Sequence, residues 1–155
     1  MKLFTIGVTA WNQRDFFDAL SGHGIKRVVD VRRRAAARGA EHAFGNKARL
    51  ERGLAELGIT YVQVKELAPQ EQLWKTWYAK LRGGANPAEI WGAHKARFLK
   101  QSETVECVDS SAKSDFRAPT CLVCTCRSHE FCHRLIVAEM FAHKWPDTKI
   151  VHLKP

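Results

Sequence analysis

Two spacings of apolar residues alternate along this chain of 155 residues. Short runs that are apolar at nearly every position are separated by longer stretches with apolar residues three and four apart, the repeats of a buried strand and of an amphipathic helix. Leu3–Thr9 (LFTIGVT) is the first run; Asn12 then supplies a helix cap, and Phe16, Phe17 and Leu20 form a stripe on a helix that Gly22 or Gly24 stops. Ile25–Val31 (IKRVVDV) is the second strand. After an Arg-rich loop, Leu50, Leu54 and Leu57 mark a helix ended by Gly58, and a third strand covers Ile59–Leu67. Helices are predicted over Glu71–Arg82 and Pro87–Gln101, the second opening on a proline at a favoured first-turn position. Its periodicity runs into the first half of Ser102–Pro119, whose remainder from Ser110 is loop by composition. A cysteine-bearing strand from Thr120, a helix over Phe131–Trp145 and a last strand over Thr148–Leu153 close the pattern.

Strand and helix alternating in this way imply an α/β fold: one three-layer domain over residues 1–155, with a mainly parallel sheet of about five strands and helices on both faces. No run approaches the length of a membrane span, and the opening MKLFTIGVTAWNQRDFF lacks the zones of a signal peptide, so the expectation is a soluble cytoplasmic protein with no membrane partner. The five cysteines are odd in number and three of them crowd one strand, which suits reduced thiols better than a disulfide framework. Lys and Arg outnumber Asp and Glu by 25 to 16, a net charge of +9 that favours nucleic acid or a nucleotide as partner, although general solubility accounts for such a balance equally well. Nothing in the composition specifies an oligomeric state.

Ligands of parallel α/β sheets collect beyond the carboxyl ends of the strands. That rule selects Thr9 and Trp11 after the first strand, Asp30–Arg34 at the second, Cys126–His129 after the cysteine strand, and Cys132-His133-Arg134 where the next helix opens. Arg32 and Arg134 each offer a planar fork of donors to a phosphate, with Thr9 and Arg127 as further ligand-binding candidates; the structural alternative is an ion pair of either arginine with Asp30 or Glu130. Cys132 at a helix start beside two cationic side chains is placed for a lowered thiol pKa, and a catalytic reading joins Cys132, His133 and an orienting Asp30. A half-buried cysteine under a loop is its structural counterpart. Cys124 and Cys126 share one strand face, yet the spacing C-x-C-x5-C-H is not a zinc-finger pattern, so neither metal ligands nor a cofactor are assigned. Cys121 and Arg127 have the spacing of a cysteine phosphatase loop, but LVCTC makes a poor loop. Trp74, Trp77 and Tyr78 fit core spacing on a helix as well as they fit stacking on bases.

Thr5-Ile6-Gly7 with Thr9, Phe17 and Leu20, Val29-Asp30-Val31-Arg32, Phe44, Gly58-Ile59-Thr60-Tyr61, Leu122-Val123-Cys124 and Cys132-His133-Arg134 together resemble the domain of unknown function 488 family, in that family's order and over nearly the whole chain. The resemblance implies a small α/β domain with a shared pocket formed by the Asp-Val-Arg strand end and the Cys-His-Arg helix start. It carries no settled activity. Two departures stand out: similar proteins usually place a glutamate where this chain has Cys126, and a proline soon after the Asp-Val-Arg run, where this chain has Arg33–Ala37. The Asp-Val-Arg end is also similar to sulfurtransferases of the rhodanese type, over a few residues only. The functional expectation is an anion-binding pocket for phosphate or nucleic acid; the alternatives are an enzyme acting on an anionic substrate through Cys132 or His133, and a zinc or thiol redox site.

Overall fold

In the computed structural model, which describes residues 1–155, five strands form one parallel sheet in the order β3-β2-β4-β1-β5. The strands are β1 (Lys2–Gly7), β2 (Arg27–Asp30), β3 (Thr60–Gln63), β4 (Thr120–Cys124) and β5 (Lys149–His152). The helices are α1 (Gln13–Gly22), α2 (Lys47–Glu56), α3 (Glu71–Arg82), α4 (Pro87–Phe98), α5 (Ser102–Ser110) and α6 (His133–Lys144). No helix is long and apolar enough to cross a membrane.

Alternation along each strand divides the core into two layers. Phe4, Ile6, Val28, Cys121 and Val123 face α1 and α2 and pack on Phe16, Leu20, Leu50 and Leu54. Leu3, Val29, Leu122 and Cys124 face the other way and pack on Phe98, Val108, Ile136, Val137 and Phe141 from α4, α5 and α6. Cys124 therefore lies on the α6 side of the central strand. Asn12 caps α1 as its composition foretells, its Oδ1 accepting from the Asp15 N–H at 2.8 Å.

The helix expected to run on past residue 101 breaks there instead. Gln101 turns inward, its Oε1 accepting from the Gln70 N–H at 2.7 Å and its Nε2 donating to the Ala68 carbonyl at 3.1 Å, while Thr104 donates to the Glu66 carbonyl at 2.6 Å. These bonds satisfy backbone groups beneath α5, so α5 starts afresh at Ser102. The strands expected to reach Thr9 and Leu67 are likewise shorter, each passing into a 3-10 turn, Val8–Ala10 and Lys65–Leu67.

The chain leaves β1 toward α1 on one face and leaves β4 toward α6 on the other, so the carboxyl ends of these neighbouring strands form the switch point at which parallel α/β sheets hold a ligand crevice. Gly7 lets the loop after β4 close against the end of β1. A Cβ there would stand 1.9 Å from the Cys126 carbonyl oxygen and 2.9 Å from Arg134 Nη1, while the φ of −115° is open to any residue, so the requirement is for space and not for backbone freedom. Thr9 fixes the two loops together, its N–H and its hydroxyl both donating to the Thr125 carbonyl at 3.2 and 2.8 Å. Replacing Gly7 by Ala is expected to destabilise the fold by about 3 kcal/mol, the upper end of ordinary overpacking, because the obstacle is backbone. Denaturant unfolding checks this, and an unchanged midpoint would contradict it.

Candidate functional site

The β2 strand ends on a buried ion pair. Asp30 is fully buried and Arg32 is 3% exposed; Arg32 Nε donates to Asp30 Oδ1 at 2.8 Å and Nη2 to Oδ2 at 2.6 Å. The Arg32 backbone N–H and the Tyr61 hydroxyl also donate to this carboxylate, at 3.1 and 2.8 Å. Burial works against the Arg32 charge, yet the hydrogen bond and charge of Asp30 outweigh it and hold the guanidinium above its ordinary pKa. Burial, then the same carboxylate, push the Tyr61 hydroxyl up. One donor is left over. Arg32 Nη1 is buried and has no hydrogen-bond partner.

Arg134 occupies a similar position across the crevice. It is 2% exposed, and its Nη1 donates to the Cys126 carbonyl at 2.7 Å and to Cys132 Sγ at 3.5 Å. Arg134 Nε is buried without a partner. Nearby, at the end of β5, His152 lies 2.8 Å from the Thr5 hydroxyl and stacks on His129 with ring centroids 3.8 Å apart. Burial first, then His129 and Arg134, lower its pKa to about 4, so at neutral pH it adds no positive charge beside Arg134.

Between the two guanidinium groups lie three thiols and an imidazole. His133 Nε2 is 2.8 Å from the Val31 carbonyl, and a carbonyl only accepts, so Nε2 carries the proton and the other nitrogen, Nδ1, is turned to Cys124 Sγ at 3.8 Å. Cys124 and Cys126 Sγ atoms are 3.9 Å apart. Hydrogen bonds from the Cys126 and Cys132 thiols, followed by the charge of His133, carry the Cys124 pKa well below the usual thiol range against the effect of burial. Burial and donation to Cys124 keep Cys132 well above that range; donation to Cys124 pushes Cys126 up to about 12. His133 is raised in turn, since the Cys124 charge and the bond to Val31 outweigh burial. Soft donors Cys124 Sγ, Cys132 Sγ and His133 Nδ1 lie within 4.8 Å of one another, a set able to hold a metal ion.

Aromatic side chains form the outer wall. Tyr78 on α3 reaches the Cys126 thiol, and burial followed by these thiols raises its pKa to about 12. Trp77 and Trp91 pack edge to face, and Trp91 meets Phe131 in the same way. Trp77 is buried and Trp74 is 49% exposed, so the helical spacing of these aromatics is that of packing, with one ring left toward solvent. A surface cleft of about 450 Å³ lies elsewhere, around Lys113, and one of about 400 Å³ around Gln63 is lined in part by Tyr61.

The structure places Asp30, Arg32, Cys132, His133 and Arg134 on the same carboxyl edge of the sheet. Asp30 does not orient His133, because its oxygens are taken by Arg32 and Tyr61; the Val31 carbonyl holds the ring instead. At Cys132, where the helix start suggests a lowered thiol pKa, burial and the two neighbouring sulfurs push it up. Thr9 spends its hydroxyl on Thr125, and Arg127 is exposed on the rim. Cys121 is buried within β4, which removes the phosphatase-loop spacing. The residues that sequence reasoning underrated are Cys124 and Cys126, whose signal was the C-x-C at a strand end, and Tyr61 and Tyr78, whose signals were the family resemblance and helical spacing without a site role.

The model of the family described as domain of unknown function DUF488 matches residues 12–141. The chain belongs to the DUF488 family. Neither the curated proteins nor the solved structures contain a match to it. For this DUF488 chain the matched span takes in α1, β2, β4 and nearly all of α6, and with them the ion pair, the three thiols and Arg134.

Converting Asp30 to Asn would leave the Arg32 cation buried without its counter-charge. A loss of about 3–5 kcal/mol in unfolding free energy is expected, readable by denaturant titration. A change no larger than that of an ordinary surface substitution would show the pair to be dispensable.

Proposed function

We propose that this protein binds a small oxyanion, a phosphate group carried by a nucleotide or nucleic acid, in the crevice between β1 and β4. The observation that carries this reading is the pair of buried guanidinium N–H groups without partners, Arg32 Nη1 and Arg134 Nε, on either side of one thiol cluster. A buried charged donor left unpaired is costly, and an oxyanion is a ligand that can accept from both N–H groups at once. The start of α6 adds backbone N–H groups at the same edge, and the +9 charge brings polyanions to the surface, with Arg127 at the rim. Reduced thiols at the centre of the crevice suit a cytoplasmic setting.

An enzyme acting on the same anion is the second reading, favoured by the alignment of His133 Nδ1 on Cys124 Sγ at 3.8 Å. In it the reacting thiol is Cys124 in place of Cys132, with His133 as its proton partner and Asp30 confined to fixing Arg32.

Calorimetric titration with inorganic phosphate tests the binding reading. Replacing Arg134 by Lys keeps the charge and loses Nε and the fork, so affinity is expected to fall by about 1–3 kcal/mol, roughly 5- to 150-fold. Binding to an oligonucleotide is expected to weaken steeply with salt, since phosphate contacts lead it. Phosphate affinity indifferent to the Arg134 substitution, or none at low ionic strength, would contradict the reading.

A further inference from the structure

We propose that Cys124, Cys132 and His133 form a binding site for a borderline-soft divalent cation of the zinc class, with the fourth coordination position facing the crevice. A tetrahedral site with metal–sulfur bonds of about 2.3 Å and metal–nitrogen bonds of about 2.0–2.1 Å has donor–donor edges of about 3.5–3.8 Å. Here Cys124 Sγ and His133 Nδ1 are 3.8 Å apart, and all three donor atoms fall within 4.8 Å of one another. Little movement is needed to close them on one ion.

The surroundings are those a ligating histidine requires. The Val31 carbonyl accepts from His133 Nε2 at 2.8 Å, which fixes the ring and turns Nδ1 toward Cys124, where an incoming cation would displace any Nδ1 proton. Cys124 ends β4 and Cys132 caps α6, so both sulfurs are held by regular elements, and Phe131 takes a positive φ of 56° to turn Cys132 inward. Each cysteine is a free thiol. The donors are two sulfurs and a nitrogen with no carboxylate among them, a set that selects zinc-like ions over magnesium or calcium.

A divalent cation with two thiolates is neutral and Asp30 already balances Arg32, so Arg134 keeps the net positive charge for an anion at the fourth position. Cys126 Sγ lies 3.9 Å from Cys124 Sγ but outside the three-donor group, and its side chain is partly exposed at the mouth. The anion in this last step rests on the reading given under Proposed function; the three-ligand site does not.

Cobalt titration of the whole chain, stripped with chelator and kept reduced in phosphate-free buffer, provides the test. One Co²⁺ per chain is expected, with the thiolate charge-transfer absorption and the strong visible bands of a tetrahedral site, displaced by Zn²⁺ and not by Mg²⁺. Cys124→Ser, Cys132→Ser and His133→Gln are expected to weaken binding by more than about a hundredfold, ligand loss exceeding the usual effect of an outer-shell change. Cys107→Ser and Cys126→Ser should keep the one-to-one stoichiometry. Circular dichroism checks that each variant folds; should a ligand variant not fold, the wild-type spectrum and stoichiometry decide. Absence of stoichiometric Co²⁺ or Zn²⁺ uptake, an unchanged charge-transfer band in Cys124→Ser, or loss of metal in Cys126→Ser would overturn the three-ligand site. Phosphate titration of the metal-free chain separates the two readings: phosphate binding without metal uptake defeats the metal site alone, and metal uptake without phosphate binding defeats the anion reading alone.

Discussion

Two arginine cations, each about as buried as a core leucine, stand at one edge of the sheet, and their stabilisation governs what surrounds them. A charge taken out of water costs several kcal/mol unless it is paired and hydrogen-bonded. Arg32 meets that demand with the Asp30 carboxylate, which is bonded in turn by Tyr61 from the neighbouring β3 strand. Arg134 has no carboxylate partner and relies on the Cys126 carbonyl and the Cys132 sulfur. Their geometry therefore ties β2, β3, the loop after β4 and the start of α6 into one unit.

That unit exists because of the order in which the strands lie. β4 is central, between β2 and β1, although it comes fourth in the chain. Its carboxyl end thus meets the Asp-Val-Arg end of β2 on one side and the glycine end of β1 on the other. A side chain at position 7 would push the β4 loop away, and with it the carbonyl that holds Arg134. Packing on the two faces puts Cys124 toward α6, so its thiol meets Cys132 and His133 as that helix begins. Sheet topology, one missing side chain and strand parity are enough to bring the donors together.

Much of this was legible in the sequence. The alternation of runs and stripes specified strands, helices and a parallel sheet, and the carboxyl-end rule selected the edge where the buried ion pair and the thiols lie. Between the two roles read for Asp30, ion pair with an arginine or orienter of His133, only packing decides: Arg32 and Tyr61 from the neighbouring strand occupy its oxygens, and the Val31 carbonyl takes His133. The helix-start argument for Cys132 leaves out its burial and the two neighbouring sulfurs, both of which push its thiol up. Gln101 gave no periodic signal for the break before α5, since its role depends on Ala68 and Gln70 lying beneath it.

The anion proposed as ligand would bond both unpaired N–H groups, those of Arg32 and Arg134. Crystals of the reduced chain grown with inorganic phosphate test it most directly, through the position of the anion. Phosphate oxygens within about 2.7–3.2 Å of both Arg32 Nη1 and Arg134 Nε are expected. Phosphate found only on surface lysines, with the two N–H groups bonded to separate waters, would contradict it.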